Sequence, residues 1–193
     1  MSNSHTPVVG KTSEIALFSG TIIDPLNPDP SLILIEDIAH SLAMQCRFTG
    51  HTKYHYSVAQ HSVGASWLAP SGWELWALLH DAPETFMSDI ARPIKRSSTE
   101  FGDIYSAIED VLMDAVCKRF GLELIDGGLP KQVGEVDELM LANEITHLMP
   151  PHPIYQGWEN YPSIPPKYLR KLTPEQAEAE FMHRYYELGG SYA

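Results

Sequence analysis

Apolar positions in the chain follow helical spacing from Glu36 to nearly its end, and extended spacing only before that. "FSGTIID" and "SLILIED" are β-rich and are separated by "PLNPDP", whose Pro, Asn and Asp residues demand a turn. A short N-terminal β-ribbon or extended arm is expected there, after a disordered first dozen residues. "EDIAHSLAMQCRF" predicts a helix with acids in its first turn, and "SVAQHSVGASWL" a second, with Ser57 and Gln60 placed as a capping box. "WELWALLHDAPETFM" is apolar on most sides and predicts a central helix, kinked or broken at Pro83.

A long helix follows in "STEFGDIYSAIEDVLMDAVCKRFG". Phe101, Ile104, Ile108, Val111, Leu112 and Ala115 form its stripe, and Gly121 is its C-cap. Another runs through "KQVGEVDELMLANEITHLM". Residues 150–166 hold six prolines and predict an irregular surface arm. "TPEQAEAEFMHRYYELGG" predicts a last helix with Thr173 as N-cap, Pro174 at its first position and Gln176 completing a box. The fold class is mainly α, a bundle of five to seven helices.

Composition narrows the setting. The 193 residues suit one domain, and the hydrophobic (44%) and charged (20%) fractions are those of an ordinary globular protein. No apolar run nears the roughly 18 residues of a membrane span, and "MSNSHTPVVGKTSE" has no basic start or apolar block, so no membrane role and a cytosolic location are expected. Cys46 and Cys117 make no disulfide framework. A net charge of −12 argues against a nucleic-acid polymer as partner, though not against a small phosphorylated substrate whose charge is met locally by a metal or a few basic side chains.

The chemistry lies in polar residues that interrupt apolar faces. His61 sits one turn inside "SVAQHSV", His80 and Asp81 close "WALLHD", and Asp137 interrupts "VGEVDELML". Buried imidazoles and carboxylates need partners or a metal. Two of each on three helices suit a divalent Zn, Mn, Co or Fe ion. An HD dipeptide also occurs by chance, and Asp137 alone reads equally as an exposed acid.

His61, "HD" at 80 and 81, and the later Asp137 together resemble the H…HD…D signature of the HD-domain metal-dependent phosphohydrolases. "RFTGHTKYHYSVAQHS", "LLHDAPETFMSDIARPIK" and "VDELMLANE" extend the likeness to the small bacterial and phage members that act on deoxynucleotides. The resemblance implies one HD-type domain over 1–193, with a core of about 36–148, a Pro-rich arm at 150–172 and a C-terminal helix at 173–189. It implies His61, His80, Asp81 and Asp137 as metal ligands, and Glu84, one turn on, as the acid that acts on the water or the leaving group. Asp89 would meet the sugar 3′-hydroxyl, Arg47 a phosphate or the leaving oxygen, and Lys95 a phosphate. Phe48, where relatives often carry Trp, would stack on base or sugar. A cap for Asp89, a core position for Phe48 and a solvated surface position for Lys95 are the competing readings.

The implied reaction is cleavage next to the 5′-oxygen, releasing a deoxynucleoside. The wording of the motifs points to a dATP or other dNTP triphosphohydrolase, with a further Mg on the substrate phosphates. A 5′-deoxynucleotidase acting on monophosphates is the alternative, and a non-catalytic helical metal-binding interaction module the second. The same resemblance implies a homo-oligomer in a bacterial or phage-infected cytosol.

Overall fold

A computed structural model of the chain describes residues 13–95, 100–125 and 128–191. The disorder expected of the first dozen residues lies outside them. The chain is mainly α-helical with a small antiparallel ribbon, β1 (Ile15–Ala16) against β2 (Ile22–Ile23), Ile15 opposite Ile23. The ribbon forms one step earlier than the pattern predicts. "SLILIED" is not a strand: Asp29 accepts a hydrogen bond from Ser31 N–H and opens a single 3₁₀ turn at Pro30–Leu32. The alternating Ile33 and Ile35 are both buried, but they plug the core at the entrance to helix α1 (Ile35–Met44).

Helix α1 stops at Gln45, short of the predicted Phe48. Arg47–Gly50 forms a 3₁₀ turn in which Phe48 and Thr49 take left-handed φ of 55° and 54°. Ser57 caps α2 (Val58–Leu68) by accepting from Gln60 N–H. The reciprocal half of that box is not made: Gln60 Nε2 donates to Arg170 O at 2.6 Å, which turns the side chain away, and its Oε1 accepts from no donor among the described residues. Every residue of α2 from Val58 to Ser66 is buried, so this helix, rather than α3 alone, is central.

Helix α3 (Glu74–Leu79) ends at His80. The break expected at Pro83 is present, and the chain restarts as the short α4 (Glu84–Met87) and α5 (Arg92–Lys95). Helix α6 (Glu100–Phe120) ends at Gly121, whose φ of +68° lets Leu122 N–H reach Cys117 O. Its buried face carries Tyr105, Leu112, Ala115 and Val116. Phe101, Ile104 and Val111 of the predicted stripe lie exposed, because the helix rides on the surface and turns only part of its apolar arc inward.

Helix α7 (Lys131–Leu148) crosses α2 closely. A Cβ on Gly64 would lie 2.5 Å from Met140 Cε, so the absence of a side chain there permits the approach. His61 and Asp137 each lie three residues before this contact, on the same two helices. The Pro-rich arm is irregular as expected, with short 3₁₀ turns at Pro153–Tyr155, Trp158–Asn160 and Pro166–Leu169. It packs on its own domain, since Asn143 donates to Pro162 O and accepts from Ile164 N–H.

Helix α8 (Pro174–Glu187) has the full predicted capping box and packs on α1 and α2. Its Phe181 is wholly buried in the core with Leu42, Val58 and Leu112. Phe181→Ala is expected to destabilise the protein by about 3–5 kcal/mol, measured as the shift in urea-unfolding midpoint at constant slope. A change below about 1 kcal/mol would mean that α8 is not part of the main core. No helix among the described residues is long and apolar enough to cross a membrane.

Candidate metal centre

Four side chains from three places in the fold converge. His61 comes from the first turns of α2, His80 and Asp81 from the break after α3, and Asp137 from the second turn of α7. His61 Nε2 lies 3.3 Å from His80 Nε2 and 3.3 Å from Asp137 Oδ1. His80 Nε2 lies 3.3 Å from Asp81 Oδ1 and 4.0 Å from Asp137 Oδ1, while His61 Nε2 is 3.8 Å from Asp81 Oδ2. One ligand atom each from His61, His80 and Asp137 can be chosen with all three within 4.8 Å of one another.

The opposite ring nitrogens decide what this cluster needs. His61 Nδ1 bonds Glu144 Oε1 at 2.7 Å, and His80 Nδ1 bonds Ala77 O at 2.7 Å. Both acceptors are proton-free, so each Nδ1 carries the hydrogen and a neutral ring leaves its Nε2 lone pair bare. Two lone pairs and two carboxylates then face one small space with no donor between them. A cation relieves that arrangement, and two imidazoles with two carboxylates match a divalent transition ion. Without an ion the cluster claims a proton. Burial and Arg47 oppose a charge on His61, yet Glu144 and Asp137 outweigh them and push its pKa up to about 9. Asp137 is held far below the usual carboxylate range: burial opposes this, but the bond to His61 and the nearby His80 and Arg47 outweigh it.

The remaining predicted residues border this cluster to different degrees. Glu84 begins α4, is 3% exposed, and its Oε2 has no hydrogen-bond partner among the described residues. Burial, then Asp81 and Asp89, push its carboxyl well above the usual range, with Lys95 opposing. Lys95 Nζ stands 3.4 Å from Glu84 Oε1 and 2.6 Å from Glu109 Oε1, so its charge already faces two acids. Arg47 is buried, donating from Nε to Glu144 at 3.0 Å, with Nη1 3.5 Å from Asp81 Oδ2. Phe48 is half-buried, its ring centroid 5.8 Å from the Arg47 guanidinium carbon.

Asp89 follows a strained residue. Ser88 has φ 72° and ψ 151°, a region costly for any side chain, and three hydrogen bonds impose it. Ser88 N–H donates to Glu84 O, Tyr105 O–H donates to Ser88 O, and Asp89 N–H donates to the Gln45 amide oxygen. Gln45 also donates to Glu84 O, tying α1 to α4. The Asp89 carboxyl is half-buried; burial raises its pKa and outweighs Arg47.

Glu144 and Arg92 escape the sequence reading. Arg92 donates from Nη2 to Asp137 Oδ2 at 2.7 Å and from Nη1 to Glu138 at 3.0 Å. Glu144 lies seven residues after Asp137, two turns along one face of α7. That spacing is the signal which could have found it.

No family model matches the chain. Two curated proteins are similar to it. Uncharacterized protein YfdR of Escherichia coli is 34% identical over 179 residues, covering 91% of this chain and 96% of that protein. Uncharacterized protein RCAP_rcc00048 of Rhodobacter capsulatus is 43% identical over 118 residues, covering 56% of this chain and 59% of that protein.

Proposed function

We propose, for a chain that belongs to the same family as YfdR of Escherichia coli, the function of a metal-dependent phosphohydrolase of the HD-domain kind acting on small deoxynucleotides. The observation that carries this reading is the pair of bare imidazole nitrogens 3.3 Å apart, flanked by Asp81 and Asp137, with both Nδ1 atoms committed elsewhere. His61, His80, Asp81 and Asp137 would hold the ion. A bound divalent ion supplies a water of lowered pKa and charge on a phosphoryl oxygen.

The chain's own groups supply the rest. Glu84 keeps its proton to unusually high pH and stands one helical turn past the ligands, the condition for donating to a departing 5′-oxygen. Arg47, fixed through Nε, has terminal nitrogens left for phosphate oxygens. Asp89, held by the Ser88 and Gln45 bonds, is the candidate partner for the sugar 3′-hydroxyl, and Phe48 beside Arg47 the candidate surface for base or sugar.

Charge balance bears on the number of phosphates. Arg47, Arg92 and Lys95 are each already paired with carboxylates. That supports a monophosphate, whereas the triphosphate expected from the motif wording would need Mg carried in with the substrate. Two measurements test the reading: metal content of the purified protein, and product chromatography over deoxy- and ribonucleotides at each phosphorylation state. Nucleoside release from deoxynucleotides, lost on chelation, is expected. A metal-loaded protein inert to the whole panel would leave the helical metal-binding module as the better account.

A further inference from the structure

Glu144 is wholly buried on α7, beside the Tyr56 hydroxyl that donates to Tyr168 O, and faces two nitrogen donors on separate parts of the chain. Oε1 accepts from His61 Nδ1–H on α2, and Oε2 accepts from Arg47 Nε–H in the turn after α1. We propose that Glu144 is a positioning residue that sets two functions with one carboxylate: it fixes the imidazole form that turns the His61 Nε2 lone pair to the metal, and it pins Arg47 so that its terminal nitrogens face an oxyanion. The second half rests on the phosphohydrolase reading; the first needs only that the cluster takes up a divalent ion.

Comparison within the site explains why a carboxylate is required. The other imidazole, His80, has its Nδ1 proton held by a backbone oxygen, Ala77 O, which suffices for one donor. Serving two donors that approach from different elements takes two proton-free oxygens on one rigid plane, which only a carboxylate side chain supplies. The Arg47 partner is also charged, and a neutral acceptor would leave a buried guanidinium with the longer Asp81 contact as its nearest counter-charge. Nη1 reaches Asp81 only at 3.5 Å, and Nη2 has no partner among the described residues. Held by Nε, the guanidinium keeps this fork for two oxygens of a phosphate, the geometry in which arginine binds such groups best. The ion and the oxyanion are thereby placed relative to each other by one side chain.

Glu144→Gln separates the two roles, because an amide offers one acceptor and one donor to two donors. If its oxygen faces Arg47, its NH₂ meets His61 Nδ1, which must give up its proton to Nε2 and so block the metal-facing atom. If the oxygen faces His61, the NH₂ confronts Arg47 Nε–H and releases the guanidinium. The variant is therefore expected to bind Co²⁺, followed by visible absorption, about 10- to 100-fold more weakly. At saturating Co²⁺ the arrangement with the Gln oxygen facing His61 is enforced, Arg47 is released, and affinity for inorganic phosphate should fall at least about tenfold, with KM for nucleotide rising more than kcat falls.

Co²⁺ and phosphate affinities both within about twofold of wild type would overturn the proposal. Should the variant fail to fold by circular dichroism, nitrogen-resolved NMR of the Zn²⁺-loaded wild type decides instead. A protonated His61 Nδ1 and a slowly exchanging Arg47 Nε–H are expected, and an unprotonated Nδ1 overturns the assignment. A wild type that binds Co²⁺ but hydrolyses no nucleotide removes the phosphohydrolase reading, while the Co²⁺ comparison still decides the role of Glu144.

Discussion

His80→Ala is expected, on the proposed phosphohydrolase function, to lower kcat/KM on a deoxynucleotide by at least about a thousandfold, since losing the ion would remove both the activated water and the charge offered to the phosphoryl oxygen. The size of the effect follows from the donor count. His80 supplies one of two nitrogens, and its Nε2 lies within 4.0 Å of His61, Asp81 and Asp137 donor atoms. Without it, one imidazole and two carboxylates remain, a set that suits harder ions with more water ligands. The fold should survive, because His80 stands at the end of α3 and its own Nδ1 bond to Ala77 O holds the ring rather than the backbone. Asp81→Ala is expected to behave alike. Helical circular dichroism close to wild type, together with metal loss and no turnover, is the outcome sought. A variant that works at the wild-type rate in chelator-washed buffer would remove His80 from the site.

The second large effect belongs to Glu84. Glu84→Gln should lower kcat by about 10²–10⁴-fold while leaving Co²⁺ affinity unchanged, since Glu84 is not among the four converging groups. Its raised carboxyl pKa, caused by burial and then by Asp81 and Asp89, fixes the sign of the pH dependence. A proton donor must be protonated, so wild-type kcat should fall as pH rises through the Glu84 pKa. The glutamine variant, with nothing to titrate there, should lack that falling limb. Stability need not suffer, because the carboxyl oxygen Oε2 is buried without a hydrogen-bond partner among the described residues. An unaltered limb in the variant would assign the titration to another group and end Glu84's candidacy.

How far the sequence could lead depended on how unusual each residue was in its surroundings. His61, His80 and Asp137 interrupt apolar runs, and burial makes such interruptions costly unless they share a task, so their convergence could be read in advance. Glu144 could not be read that way. On a helix that also carries Glu135, Asp137 and Glu138, one more acid resembles a solvated face, and only the crossing of α2 over α7 at Gly64 shows that it is enclosed. Arg92 was hidden for a related reason, because "RPIK" offers two cations and nothing local says that Arg92 is the one that reaches Asp137.

Periodicity failed where one pattern serves two purposes. Ile33 and Ile35 alternate as strand residues do, yet Pro30 and Asp29 turn the chain and both side chains enter the core beside a helix. The stripe on α6 joined exposed Phe101 and Ile104 to buried Leu112, since spacing gives a face but not its orientation. The box at Ser57 was half made because a distant carbonyl draws the Gln60 NH₂ to Arg170, and the Gln60 Oε1 that the box needs as acceptor meets no donor among the described residues. At Thr173 and Gln176 both halves formed.

That distant carbonyl has a consequence for the order in which the protein is built. Tyr54, Tyr56 and Gln60 all donate to backbone oxygens of residues 168–170, partners 108 to 115 positions further along. Contacts that close such long loops form late, and on a ribosome they cannot form at all until the arm has emerged. Gln60 is the immediate neighbour of His61, so the start of α2 reaches its final hydrogen bonding only after residues 168–170 have emerged. A nascent chain already displaying His61, His80, Asp81 and Asp137 has therefore not yet fixed the helix that aims the first of them. The cluster able to hold an ion is thus completed by a part of the sequence that contributes none of its four side chains.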